Sequence, residues 1–166
     1  VDGAEIGFGP GEAIALRRSA GSWQKGVAPA RGKRAGLEGP IRDVFLEPVV
    51  FSFGSADPGT VRANREVALA LARRHGSEVG YRVVADTELD ATTIGKNAIV
   101  AVGTPRDHSL LARVSSRLPI RADAGAVVVG ERRFGAGGTG AIFIHPNPEA
   151  PERYLVVVTG SDAAGI

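Results

Sequence analysis

Val49-Val50-Phe51-Ser52-Phe53-Gly54-Ser55-Ala56-Asp57-Pro58 is the stretch that decides the class of fold. Its apolar run, entered through Pro48 and left through a glycine, has the pattern of a strand covered on both faces. Asp57-Pro58 then reads as a helix start, because aspartate caps free amides and proline suits the first helical position. Ala63, Val67, Ala70 and Leu71 recur on one face of the segment that follows, while Arg62, Arg65, Arg73 and Arg74 fall largely elsewhere. Gly76 is a natural stop. Strand, glycine turn and amphipathic helix in that order predict an α/β fold.

Downstream the rhythm repeats. Residues 81–85 and 98–102 read as strands, with a short helical turn over 90–94 between them. A second helix follows Thr104-Pro105, with Thr104 as its candidate cap and Asp107 placed in the positive first turn. Leu110, Leu111, Val114 and Leu118 make its inward stripe, and Pro119 ends it. Residues 126–129 and 132–134, joined by Gly130-Glu131, read as a β-hairpin, and 141–144 and 154–158 as two more strands. With right-handed crossovers, the expectation is a three-layer, Rossmann-like or flavodoxin-like, mostly parallel sheet. An antiparallel hairpin is inserted late and a small β segment precedes the whole.

That β segment covers residues 1–25. Asp2-Gly3 is a hairpin-turn dipeptide, 4–8 and 13–16 suit short strands, and Ala20-Gly21 turns the chain toward Trp23. An isolated hairpin is marginal in water, so 1–25 reads as the remnant of an upstream β-rich module. Residues 26–39 hold Pro29, Gly32, Gly36 and the basic trio Arg31, Lys33 and Arg34, and read as a linker. Residues 40–166 then form the α/β domain. A chain without methionine that opens on Val1-Asp2-Gly3 is expected to be part of a longer or processed polypeptide.

Composition narrows the class. Hydrophobic residues at 43% and charged residues at 23% are ordinary for a globular protein of 166 residues, long enough for one good core. No apolar run reaches the ~18–20 residues that cross a bilayer. Absence of cysteine excludes disulfides, thiol catalysis and cysteine-ligated zinc. A net charge of +2, with basic residues interspersed among acidic ones, argues against nucleic acid, which calls for a longer basic stripe. Arginine far outnumbers lysine and alanine is abundant, as in a GC-rich bacterial coding sequence.

Three strands end in the same chemistry: Phe53-Gly54-Ser55, Val102-Gly103-Thr104 and Thr159-Gly160-Ser161. At the carboxyl edge of an open α/β sheet such turns bring backbone amides close to an anion. A small anionic or nucleotide-like ligand against Ser55, Thr104 and Ser161 is one reading. The other is that glycine makes each turn and the hydroxyl caps the next element. Gly135-Ala136-Gly137-Gly138-Thr139-Gly140 has dinucleotide-fingerprint spacing, but a hairpin precedes it and a β-type run follows. The fingerprint works only between a strand and a helix, so the segment reads as a loop. His145, before Pro146-Asn147-Pro148, is the best candidate for a functional histidine. His75 precedes the helix-stopping Gly76, and His108 follows Asp107 without forming a local acid–base pair. No HExxH or His-x-x-x-His spacing supports a metal, and no Gly-x-Ser-x-Gly elbow supplies a hydrolase nucleophile.

Several phrases carry a family resemblance. Gly39-Pro40-Ile41-Arg42-Asp43-Val44-Phe45 with the strand that follows resembles the C-terminal region of bacterial prolyl-oligopeptidase-like serine hydrolases, of planctomycete or myxobacterial type. Val102-Gly103-Thr104-Pro105 with Leu110-Leu111-Ala112, and Ile144-His145-Pro146-Asn147-Pro148 leading to Tyr154-Leu155-Val156-Val157, are similar in order and spacing. The resemblance implies that the α/β-hydrolase module and its nucleophile lie upstream, so no catalytic residue carries over. The chain would then be a non-catalytic accessory domain that docks on, shields or positions substrate for that module of the same polypeptide. No cofactor, nucleic acid or membrane partner is implied. A second reading is a small-molecule or anion-binding module using Gly54, Ser55, Gly103, Thr104, Gly160, Ser161 and His145. A third is a self-contained hydrolase that joins Ser55 or Ser161 to His145.

Overall fold

The computed structural model describes residues 3, 5–11, 15–26, 36–37, 39–76, 80–123 and 125–166. The chain divides into two compact units, Val1–Gly32 and Lys33–Ile166.

In the first unit β1 (Leu16–Ser19) and β2 (Ser22–Lys25) form an antiparallel hairpin. Its turn is Ala20-Gly21, both at positive φ (48° and 82°), the geometry whose twist matches the flanking strands. The tight turn therefore falls where the dipeptide places it. The strands sit elsewhere than expected: residues 5–8 carry no strand, and the second predicted strand begins β1 only at Leu16. Asp2, Ala4, Ala13 and Ile14 lie outside the described residues, as do 27–35 of the predicted linker.

The second unit is an α/β fold built on a five-stranded sheet in the order β4-β3-β5-β10-β9. Its strands are β3 (Val49–Phe53), β4 (Arg82–Ala85), β5 (Ala98–Val102), β9 (Gly140–Asn147) and β10 (Ala150–Gly160). β4, β3, β5 and β10 are parallel, and β9 returns antiparallel along β10. Every residue of β3 and β5 is buried, which is why both read as unbroken apolar runs. Alternation splits the core in two. Phe51, Phe53, Val100, Val102, Val156 and Val158 face α1 (Val61–His75), through Ala68 and Ala72. Val50, Ile99, Ala101, Leu155 and Val157 face α2 (Ala91–Lys96) and α3 (Ser109–Val114), through Ile94, Leu110, Leu111 and Val114.

Three differences from the expectation have local causes. Asp57-Pro58 opens a turn rather than the helix: Asp57 Oδ1 accepts from the Gly59 amide at 2.8 Å, and α1 starts at Val61. Gly59 after proline favours that turn. The buried stripe of α1 is Asn64, Ala68 and Ala72, flanked by Val67 and Leu71, whereas Ala70 is exposed. The helix is rotated because Asn64 is polar yet buried, held by hydrogen bonds described below. The predicted hairpin exists as β7 (Ala126–Val129) and β8 (Arg132–Phe134), but outside the main sheet. It joins β6 (Ile120–Asp123) in a separate three-stranded sheet; α3 itself ends at Val114 in a 3-10 turn over Ser115–Arg117, before Pro119 and not at it.

The second unit also reaches back before residue 40. Leu37 is buried in the core, the Tyr154 hydroxyl donates to the Gly36 carbonyl, and the Gly39 amide donates to that hydroxyl at 3.3 Å. Among the described residues no helix is long and apolar enough to cross a membrane.

Candidate functional site

Phe53, Val102 and Val158 lie side by side across the sheet, so the three glycine turns share one edge. β3 leads toward β4 on one side and β5 toward β10 on the other, leaving a crevice between the ends of β3 and β5. In open α/β sheets that is where ligands bind. Here two carboxylates of the chain itself fill it.

Asp107 is almost completely buried, at 2% exposure. Its Oδ1 accepts from the Thr104 amide at 2.6 Å and the Thr104 hydroxyl at 3.1 Å. Its Oδ2 accepts from the Thr60 hydroxyl at 3.0 Å and from Asn64 Nδ2 at 2.9 Å. Asn64 Nδ2 donates as well to the Gly54 carbonyl at 3.1 Å, which ties α1 to the end of β3. A Cβ at Gly54 or at Gly103 would lie 2.7 Å from Asp107 Oδ1, and Gly103 sits at φ +138°. Both glycines are therefore required by the approach of this carboxylate.

Asp86, equally buried, follows β4. Its Oδ1 accepts from the Ser55 amide at 2.9 Å and hydroxyl at 2.6 Å, and its Oδ2 from the Ser109 amide at 2.6 Å. Burial alone would push its carboxyl up, but the hydrogen bonds from Ser55 and Ser109 outweigh it and hold the pKa below the usual range. Asp162 does similar work beyond β10, accepting from the amides of Gly138, Ala164 and Gly165.

No family model matches this chain, and no curated protein matches it.

Each predicted site residue now has a place. Gly54, Ser55, Gly103 and Thr104 converge at the crevice: the Ser55 and Thr104 donors turn to Asp86 and Asp107, while the Gly54 and Gly103 amides donate to the Val102 and Val158 carbonyls. Gly160 and Ser161 share the edge but serve the end of the chain: a Cβ on Gly160 would meet Gly165 at 2.6 Å. The Ser161 amide donates to the Thr139 carbonyl and its hydroxyl to the Ala136 carbonyl. Gly135–Thr139 is a loop between β8 and β9, as its context requires, and Gly140 opens β9. His145 is not brought to the site. It lies inside β9 opposite Leu155, six positions back along β10 from Ser161, or about 20 Å at ~3.3 Å per residue. Its Nδ1 is 2.7 Å from the Pro146 carbonyl, and since a carbonyl only accepts, that nitrogen carries the proton.

A shallow groove over this edge is bordered by Thr60, Thr104 and Ser161 together with Asp57, Asp107, Asp123 and Asp162, against the single base Arg106. Arg133 pairs with Asp123 at 3.0 Å and Asp107 is buried under its donors, which leaves Asp57 and Asp162 facing Arg106, a balance that gives an anion no net attraction. Among the described residues no group of three histidines or carboxylates is placed to hold a metal.

Asp86, Asp107, Thr60 and Asn64 are the residues that sequence reasoning missed as members of this site. Their signals were present. Asp86 directly follows a strand, Asp107 stands three residues after a strand-end threonine, and Asn64 interrupts the inner face of an amphipathic helix.

His108 lies between these carboxylates, 1% exposed, with neither ring nitrogen paired. Burial pushes its pKa from 6.5 down to about 4, against the opposing pull of Asp86 and Asp107 and with help from Arg113. The fold therefore favours the neutral ring. The contribution of this ring is full well above pH 6.5, where it is neutral in both the folded and the unfolded chain, and declines as pH falls toward 4 because the unfolded chain protonates first. At ~1.4 kcal/mol per pH unit the loss across this window is about 3 kcal/mol. Denaturant melts at stepped pH should show it, and His108→Leu should flatten the profile between pH 6.5 and 4. Asp86, lowered below 3.8, acts under that window.

Proposed function

We propose that this chain is a non-catalytic accessory domain of a bacterial serine hydrolase, of the prolyl-oligopeptidase-like peptidase or esterase type. Its partner in that reading is the α/β-hydrolase module upstream in the same polypeptide. One observation carries the non-catalytic part: the donors at the β3 and β5 ends, where an α/β sheet would engage a substrate, are spent on Asp86 and Asp107. Ser55 and Ser161 each have their hydroxyl committed elsewhere, and His145 stands far from both. The parent class rests on the resemblance of residues 39–54, 102–112 and 144–157. In finer detail the second unit is read as Rossmann-like or flavodoxin-like, which its strand order and its helices on both faces support.

A fluorophosphonate probe tests this directly. Chain 1–166 should remain unlabelled, while the product of the complete gene should label on a serine upstream of it. Labelling at Ser55 or Ser161, or a gene product no longer than this chain, would refute the proposal.

The convergence of glycine turns on one edge favours a second reading, a small-molecule or anion-binding module. The carboxylates around the groove weigh against it. A thermal-shift screen with nucleotides, sugar phosphates and simple anions separates the two, because a ligand of the native state raises the melting midpoint. No shift is expected from any of them.

A further inference from the structure

We infer that the crevice between the ends of β3 and β5 is a carboxylate-binding site which the chain occupies in cis with Asp107. The cradle is assembled from separate segments that converge on one small group. The Thr104 amide and hydroxyl take Oδ1, while the Thr60 hydroxyl and the Asn64 side chain take Oδ2. Gly54 and Gly103 leave the space in which the group lies, since a Cβ on either would stand 2.7 Å from Oδ1. Asn64 supplies an independent sign that the pocket is built around an anion. It is fully buried on the inner face of a helix and its Oδ1 has no partner, so its Nδ2 contacts alone retain it there.

Two donors to each oxygen, in a space closed by two glycines, select a small monocarboxylate of formate or acetate size. A bulkier phosphate carries more oxygens than the cradle has donors to satisfy. The tether of residues 104–107 keeps the carboxylate at high effective concentration, so a free acid cannot displace it from the unaltered chain. The site is thus self-blocked, and cutting the tether exposes it.

Asp107→Gly removes the carboxyl group and the Cβ, leaving room for formate. Sodium formate, compared with sodium chloride at equal ionic strength, should raise the melting midpoint of Asp107→Gly by several degrees and saturate. The unaltered protein should show no difference between the two salts. Adding Thr60→Val to the glycine variant should weaken the formate effect by removing one donor to Oδ2. If Asp107→Gly does not fold in chloride, refolding in formate becomes the measurement, and recovery of the native circular-dichroism spectrum supports the site. A folded variant indifferent to formate, an equal response from the unaltered protein, or a chain that stays unfolded in both salts would overturn it.

Discussion

Leu111→Asp is expected to unfold the second unit. Leu111 is 2% exposed, packed in the core between α3 and the sheet with Ile99, Leu155 and Val157. An aspartate there loses the leucine contacts, worth about 2–5 kcal/mol when a core leucine is truncated. It also buries a carboxyl group, and a buried polar group without a hydrogen bond costs a few kcal/mol more. The sum reaches the ~5–15 kcal/mol that holds a whole domain together. Far-UV circular dichroism and a urea melt at pH 7 would register the loss. A cooperative melt near that of the parent chain would mean that α3 packs by another face.

Gly103→Ala should cost nearly as much, for a different reason. Position 103 holds φ +138°, a conformation that non-glycine residues enter at about 1–3 kcal/mol. The added methyl would also stand 2.7 Å from Asp107 Oδ1 and force the carboxylate out of its cradle. Displacing it leaves the Asn64 side chain and the Thr104 amide with one acceptor fewer, at about 1–3 kcal/mol for each buried group left unpaired. A destabilisation of about 3–5 kcal/mol follows from these terms, which share one cause and do not add fully. A double-mutant cycle isolates that cause. In an Asp107→Gly background the clash is gone, so Gly103→Ala should cost only the backbone term. Equal penalties in both backgrounds would show that the carboxylate plays no part in the requirement for glycine.

The two experiments interrogate different levels of the molecule. Leu111 tests a helix face that periodicity already marked, with Leu110, Val114 and Leu118 beside it. Gly103 tests a contact between the end of a strand and the loop before a helix, which no local pattern marked. Together with the pH profile of His108 they separate packing, backbone geometry and buried charge at a single edge of the sheet.

Much of the architecture was legible in the order of residues. Periodicity is local, so the apolar runs at 49–53 and 98–102, the stripe of α3 and the Ala20-Gly21 turn all announced themselves. The glycine after β3 and the glycine after β5 were recognisable as places of close approach. What approaches them was not, because Asp107 lies 53 positions from Gly54 (107 − 54) and meets it only once β3 and β5 pair. Likewise the partners of Asn64, the Gly54 carbonyl and the Asp107 carboxylate, come from other elements and are not marked by the periodicity of α1. Sequence by itself determined the elements and their hydrophobic faces, since those depend on neighbours within a turn or a strand. Tertiary structure alone decided that the crevice belongs to the chain's own carboxylates, because a buried charge is tolerated only where distant donors converge on it.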